Sequence, residues 1–438
     1  PILPSYLPIV VKSISMDNPL AAYLSAVSRA CHSCDGVALA NCFSLTPSRV
    51  PGGKRLVDFL GRANIDGACR NINPPEYGPV AADVLKALQA AQKKDHLQSF
   101  NHYQQAFLTF ADGPFRTEKA NWFMSTAHSM TRDIRSAAEL ADTANTGKGG
   151  AGAGGEESMK HVRGVANAVM TALKHAANDR NPNQSESKRA GSLYLANEMI
   201  KIYFQLNTLR NCKNIIATMD RYVIKEGNTD SLNLRMGDTV TYRFYYGRLK
   251  MFEDKYEEAD AALSYALRKC HRSAVSNKRR ILTYLIPIKL FLGQLPSDVL
   301  LKKYKLVQYE QVVASIRSGD LRAFNTALDK FQELFIRKGT FLLLEKVRAL
   351  VYRTLFKKIS RVAGVHLKGG KSIAVELGAM QIGLKLMGVE MDLDEIECIL
   401  ANLIYKGIVK GYISHKLRKL VLSAQDPFPF DQLSGKAA

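Results

Sequence analysis

The sequence predicts an all-α stack of helical repeats, of the TPR or HEAT kind, ending in a small winged helix. Three observations predict it. Apolar residues recur three and four apart through most of the chain, antiparallel helix pairs follow one another between Arg189 and Gly364, and two helical patterns then lead into two short β-prone runs around a cationic turn. A chain of 438 residues, 46% hydrophobic and 23% charged, has a globular composition and room for two or three domains.

The opening "PILPSYLPIVVKS" is apolar but broken by proline and too short to cross a bilayer, so residues 1–17 read as an irregular extension. No longer apolar run follows; a soluble protein without a membrane partner is expected. Residues 18–144 form an N-terminal helical region, with periodic stretches such as "NPLAAYLSAVSRACHSC" and "SFNHYQQAFLTF" broken by loops near Pro51–Gly53 and Asn73–Gly78. The seven cysteines (Cys31, Cys34, Cys42, Cys69, Cys212, Cys270, Cys398) are odd in number and scattered, which points to reduced thiols. "CHSC" at Cys31–Cys34 lacks a second ligand pair at a zinc-site spacing, so no metal and no cofactor are expected.

The Gly-rich tract at 145–158 contains "TGKGGAGAGGEES". A phosphate-binding loop needs Gly-Lys followed by Ser or Thr on a strand-to-helix turn; here Gly149 follows Lys148 and helical patterns flank both sides. A flexible loop is the expectation. Residues 159–364 read as helical repeats. "GSLYLANEMIKIYFQL" turns at Asn207, "DTVTYRFYYGRLKMF" near Asp254, "KRRILTYLIPIKLFLG" at Gly293, and "YEQVVASIRSG" at Asp320. Small residues beside aromatics, as in Tyr246-Gly247 with Tyr256 and Ala259, suit closely packed helix pairs. Residues 365–425 read as the winged helix: "SIAVELGAMQIGLKLMG", then "DLDEIECILANLIYKG", then runs at Gly411–Ser414 and Leu420–Ser423; 426–438 is a tail. A lone hairpin is unstable, so Ile413, Leu420 and Leu422 must pack on the helices, as must the stripe of Ile396, Ile399, Leu400, Leu403 and Ile404.

Charge narrows function. A formal +21 favours polyanionic or acidic partners. From Arg268 to Lys305 the residues Lys278, Arg279, Arg280, Lys302 and Lys303 belong to a basic run that faces a lone acid, Asp298; either a polyanion or an acidic protein neighbour would answer it. In the winged helix, Lys406, Lys410, His415, Lys416, Arg418 and Lys419 are the candidates for nucleic-acid contact. Asp392, Asp394, Glu395 and Glu397 at the start of the would-be recognition helix repel phosphate, so contact with the backbone is expected rather than base reading in a groove. Tyr405 or Tyr412 would suit stacking on an unpaired base, although a tyrosine in a small domain is commonly core. The nine histidines show no H-E-x-x-H spacing and no catalytic constellation emerges, so no enzyme is expected.

The strings "CHRSAVSNKRRILTYLIPIKLFLGQLP" (270–296), "LFIRKGTFLLLEKVRALVYRTLFKK" (334–358) and "CILANLIYKGIVKGYISHKLRKLVLS" (398–423) resemble one subfamily of PCI-domain proteins. It comprises the PCI subunit of the transcription-coupled mRNA-export complex, its metazoan counterpart and a fungal signalosome-associated relative. The resemblance runs from about Ser192 to Pro429; upstream only helical character is shared. It implies the PCI fold and a non-enzymatic nuclear scaffold, reaching to the cytoplasm or nuclear pore. The implied partners are a larger PCI protein, a small acidic disordered subunit shared with the proteasome lid, and RNA or DNA bound without regard to sequence. A purely structural subunit of a signalosome or lid-type complex is the alternative.

Overall fold

The computed structural model describes residues 18–146, 159–183, 186–222, 234–366 and 372–429. The extension at 1–17, the Gly-rich tract from 147 to 158 and the tail beyond 429 lie outside the described residues. The chain divides into two compact units, one up to Thr239 and one from Val240. This boundary falls inside the stretch 159–364 that the sequence presents as continuous repeats.

The first unit holds α1 (Pro19–His32), α2 (Gly36–Cys42), α3 (Gly53–Leu60), α4 (Ile65–Cys69), α5 (Tyr77–Gln92), α6 (His96–Asp112), α7 (Pro114–Thr117), α8 (Met124–Thr146), α9 (Lys160–Ala177), α10 (Arg189–Gln205) and α11 (Leu209–Tyr222). Helix starts are written into the chain. Asn18 accepts hydrogen bonds from the Leu20 and Ala21 amides ahead of Pro19, while Asp35 and Asp95 cap α2 and α6 in the same way. The core is aromatic: Tyr23, Phe43, Tyr103, Phe107, Phe110, Phe115 and Phe123 are fully buried, and the Tyr103 hydroxyl donates to the Phe43 carbonyl at 2.7 Å. Cys31, Cys42 and Cys69 are buried as well, and desolvation pushes each thiol up to about 12, which keeps it protonated and inert. His128 stacks on Tyr194 and its Nε2–H donates to the Gly191 carbonyl at 3.0 Å; burial holds its pKa down to about 4. Near the end of α8, the Asp142 carboxylate accepts the His161 and Val162 amides, at 3.1 and 3.0 Å, and pairs with the His161 ring at 2.7 Å. One carboxylate thereby caps the start of α9 from another helix.

The second unit begins within α12 (Met236–Phe252) and continues through α13 (Tyr256–Lys269), α14 (Val275–Phe291), α15 (Asp298–Lys303), α16 (Glu310–Ser318), α17 (Leu321–Lys330), α18 (Gln332–Lys338) and α19 (Phe341–Ala363). The turns fall where Asn, Asp and Gly accept positive φ: Asn207 (54°), Asp254 (59°), Gly293 (79°) and Gly319 (71°). Gly247 lets α12 and α13 touch, because a Cβ there would lie 2.6 Å from the Leu263 side chain. The winged helix follows, with β1 (Val365–His366), β2 (Ile373–Glu376), α20 (Leu377–Leu386), α21 (Leu393–Tyr405), β3 (Gly411–Ser414) and β4 (Lys419–Leu422).

The strands form one antiparallel sheet in the order β1-β2-β4-β3. The sequence reads "SIAVELGAMQIGLKLMG" as helix throughout, but its first residues are β2. Ile373 and Val375 lie opposite Leu422 and Leu420, and this cross-strand pairing overrides the helical periodicity. Leu420 and Leu422 are buried, and Ile396, Leu400 and Leu403 of α21 share a core with Phe356 of α19; Ile399, Ile404 and Ile413 pack against it. The segment after β4 closes this core. Phe428 is buried, and the guanidinium of Arg353, itself 5% exposed, donates to the Pro429 carbonyl at 2.9 Å and to that of Phe428.

Candidate nucleic-acid interface

Helix α21 orders the winged-helix surface. Its start is a capping box: Asp392 accepts the Glu395 amide at 2.7 Å, and Glu395 accepts the Asp392 amide at 3.0 Å. Its end is a Schellman turn in which Gly407 (φ 69°) and Ile408 donate to the Ile404 and Leu403 carbonyls, both at 2.9 Å. The chain reverses there and β3 runs back along the helix. The hairpin base therefore lies at the cationic end of α21 and the tip at its acidic start.

At the tip most of the charges are already matched, Lys416 being the exception. Arg418, in the left-handed region at φ 49°, reaches Asp394 at 2.5 Å and Glu397 at 3.0 Å, and His415 reaches Glu397 at 2.7 Å. Hydrogen bonds from Arg418 and His415 hold the Asp394 and Glu397 carboxyls below the ordinary carboxylate range. Lys419 pairs with Glu376 on β2 at 3.2 Å. Lys406, Lys410 and Lys416 make no ion pair among the described residues. The six wing candidates thus fall into a paired set, His415, Arg418 and Lys419, and an unpaired set. Tyr405 and Tyr412 are 80% and 61% exposed, so neither belongs to the core.

The second basic surface is built from helix ends. Lys278, Arg279 and Arg280 occupy the first two turns of α14, whose N-terminus has no side-chain cap, and Lys302 and Lys303 close α15. The Arg279 guanidinium donates to the Lys305 carbonyl at 3.1 Å, which draws these two helix ends together. Asp298, the one acid in the run, turns instead to Arg317 at 2.9 Å, and Lys289 is met by Asp260 at 2.9 Å. Among the described residues no carboxylate pairs with Lys278, Arg279, Arg280, Lys302 or Lys303. Cations at the positive end of a helix are unfavourable for the helix itself.

Sequence reasoning missed the division of the wing cations. Its signal was present in Asp394 and Glu397, one turn apart on α21, but only the hairpin's return path identifies their partners. Among the described residues no His, Cys, Asp or Glu group is placed to hold a metal, and no helix is long and apolar enough to cross a membrane.

Family models match the chain in two places: "PCI domain" over residues 328–424, from the end of α17 past β4, and "PSMD3-like, N-terminal TPR repeats" over 189–309. PCI domain-containing protein 2 of Xenopus laevis is 35% identical over 408 residues, covering 93% of this chain and 96% of its own length. The chain belongs to the PCI-domain family. Other relatives also span most of it. Enhanced ethylene response protein 5 of Arabidopsis thaliana is 35% identical over 367 residues, 82% of each chain, and Protein CSN12 homolog of Mycosarcoma maydis is 28% identical over 450, covering 93% and 97%. The PCI match takes in the whole winged helix, and the repeat match ends just after α15, so both basic surfaces lie within family-matched sequence.

Proposed function

We propose that this chain is a non-enzymatic PCI scaffold. Its winged helix joins that of a larger PCI protein, its helical stack holds a small acidic disordered subunit, and its basic surfaces bind RNA or DNA without reading sequence. The setting is nuclear mRNA processing, transcription elongation or export, with a presence at the pore or in the cytoplasm. The observation that carries this reading is the set of cations at the α14 and α15 ends, drawn together by Arg279 and left without carboxylate partners. Such a field favours a polyanion.

The similarity to a CSN12 homolog, together with the internal neutralisation of the hairpin tip, favours a second reading as a purely structural subunit. The two separate in the reconstituted complex. With Lys278, Arg279 and Arg280 changed to Glu, the first reading expects RNA affinity to fall and its salt dependence to flatten while the complex stays assembled. Unchanged RNA binding with release of the acidic subunit would assign the patch to that protein partner instead.

A further inference from the structure

Two of the three unpaired wing cations, Lys406 and Lys410, occur with the exposed aromatic rings at the C-terminal end of α21, whereas Lys416 lies at the hairpin tip. Tyr405 is the last helical residue and projects away from the buried stripe of Ile396, Leu400 and Leu403. Tyr412 lies on β3, an edge strand of the sheet, opposite Val421. Its neighbour Ile413 packs toward the core, so alternation along the strand turns Tyr412 to the outer face. Between the two tyrosines the chain carries Lys406 and Lys410.

The helix end does not consume these lysines. The Schellman turn satisfies the Leu403 and Ile404 carbonyls with backbone amides, and the Lys406 amide serves Asn402. The Lys410 amide donates to the Pro427 carbonyl at 2.8 Å, which leaves its ammonium group out of the backbone pairing. Two flat rings in water, with two cations between them in sequence, have the composition of a platform for unpaired bases. Every base has a π-face, so stacking needs no particular sequence, and the ammonium groups can meet the intervening phosphates. The acidic start of the same helix opposes insertion into a duplex groove.

We propose that the C-terminal end of α21 binds single-stranded nucleic acid, with bases stacking on Tyr405 and Tyr412 and the backbone held by Lys406 and Lys410. The proposal rests on the nucleic-acid reading above and adds the strandedness of the ligand and the groups that select it.

The test uses the full chain, a short oligouridine and a blunt duplex of equal length, each titrated across a salt series. Tyr405→Ala with Tyr412→Ala should weaken oligouridine binding on the order of ten-fold or more, leave the salt slope unchanged and leave duplex binding as it was. The Tyr→Phe pair should retain affinity, which controls for folding. Lys406→Gln with Lys410→Gln should instead reduce the salt slope. Wild-type affinity in the Tyr→Ala pair would overturn the stacking site while leaving the polyanion reading intact. Loss of the PCI partner rather than of oligouridine would overturn it in favour of a protein interface. No nucleic-acid binding by the unaltered chain would overturn both.

Discussion

Arg418 has three neighbours that decide what it can do. With Asp394 and Glu397 within 3.0 Å, and His415 sharing Glu397, an arriving phosphate must compete with carboxylates already in place. Glu397→Gln should therefore raise polyanion affinity and steepen its salt dependence, since His415 loses its carboxylate partner and Arg418 is left with Asp394 alone. A fall in affinity in the same titration would mean that Glu397 supports the wing rather than restraining it. Because both carboxyls are held below their ordinary range, this latch is complete above the unfolded carboxylate range and is lost as pH falls through the lowered folded values.

His128 makes a pH prediction for the first unit. Its pKa of about 4 lies below the free value of 6.5, so between those values the unfolded chain binds a proton that the folded chain refuses. Stability should decline as pH drops through that window, by about 1.4 kcal/mol per pH unit at the steepest. Denaturant unfolding at several pH values checks this, and His128→Gln should flatten the profile. The acidic start of α21 and the cationic turn are both legible as local strings. Their union is not, because Asp394 and Arg418 are distant in sequence and meet only after the hairpin folds back.

Among elements, the helices and the two hairpin strands announce themselves, and strands β1 and β2 do not. Asn207, Asp254 and Gly293 mark turns because only certain residues tolerate positive φ cheaply, a property of the residue and its immediate neighbours. Strand β2 has no such marker. Ile373–Glu376 could extend a helix, and it becomes a strand because β4 supplies a partner from much later in the chain. The role of Gly247 was half visible, as a small residue among aromatics; the structure adds the distance. Gly247→Ala should cost about 1–3 kcal/mol through overpacking between α12 and α13, read as a lowered melting temperature. Arg353→Ala should destabilise the winged helix by a similar amount, about 1–3 kcal/mol, since it strips buried carbonyls at Phe428 and Pro429 of their donor. Near-native melting of that variant would mean that the final segment contributes little.

For the molecule as a whole, a count of 61 lysines and arginines overstates the cations available to a partner. Lys289, Arg317, His415, Arg418 and Lys419 are engaged internally, whereas the α14 and α15 ends and the hairpin base are not. The salt dependence of RNA binding should accordingly track the second group. Neutralising Lys302 and Lys303 should lower the slope, and neutralising Lys419 should barely change it; equal effects would show that the internal pairs open on binding. Total charge was legible from composition, but its division needed coordinates.

The Asp142 carboxylate has a practical consequence for engineering. By holding the His161 and Val162 amides and the His161 ring, it pins the chain on both sides of the Gly-rich tract. Foreign sequence spliced between these anchors meets an already fixed gap, and each doubling of its length adds only about 0.6 kcal/mol of closure entropy. A fluorescent reporter or affinity tag placed there would leave the winged helix and the α14 patch chemically unaltered.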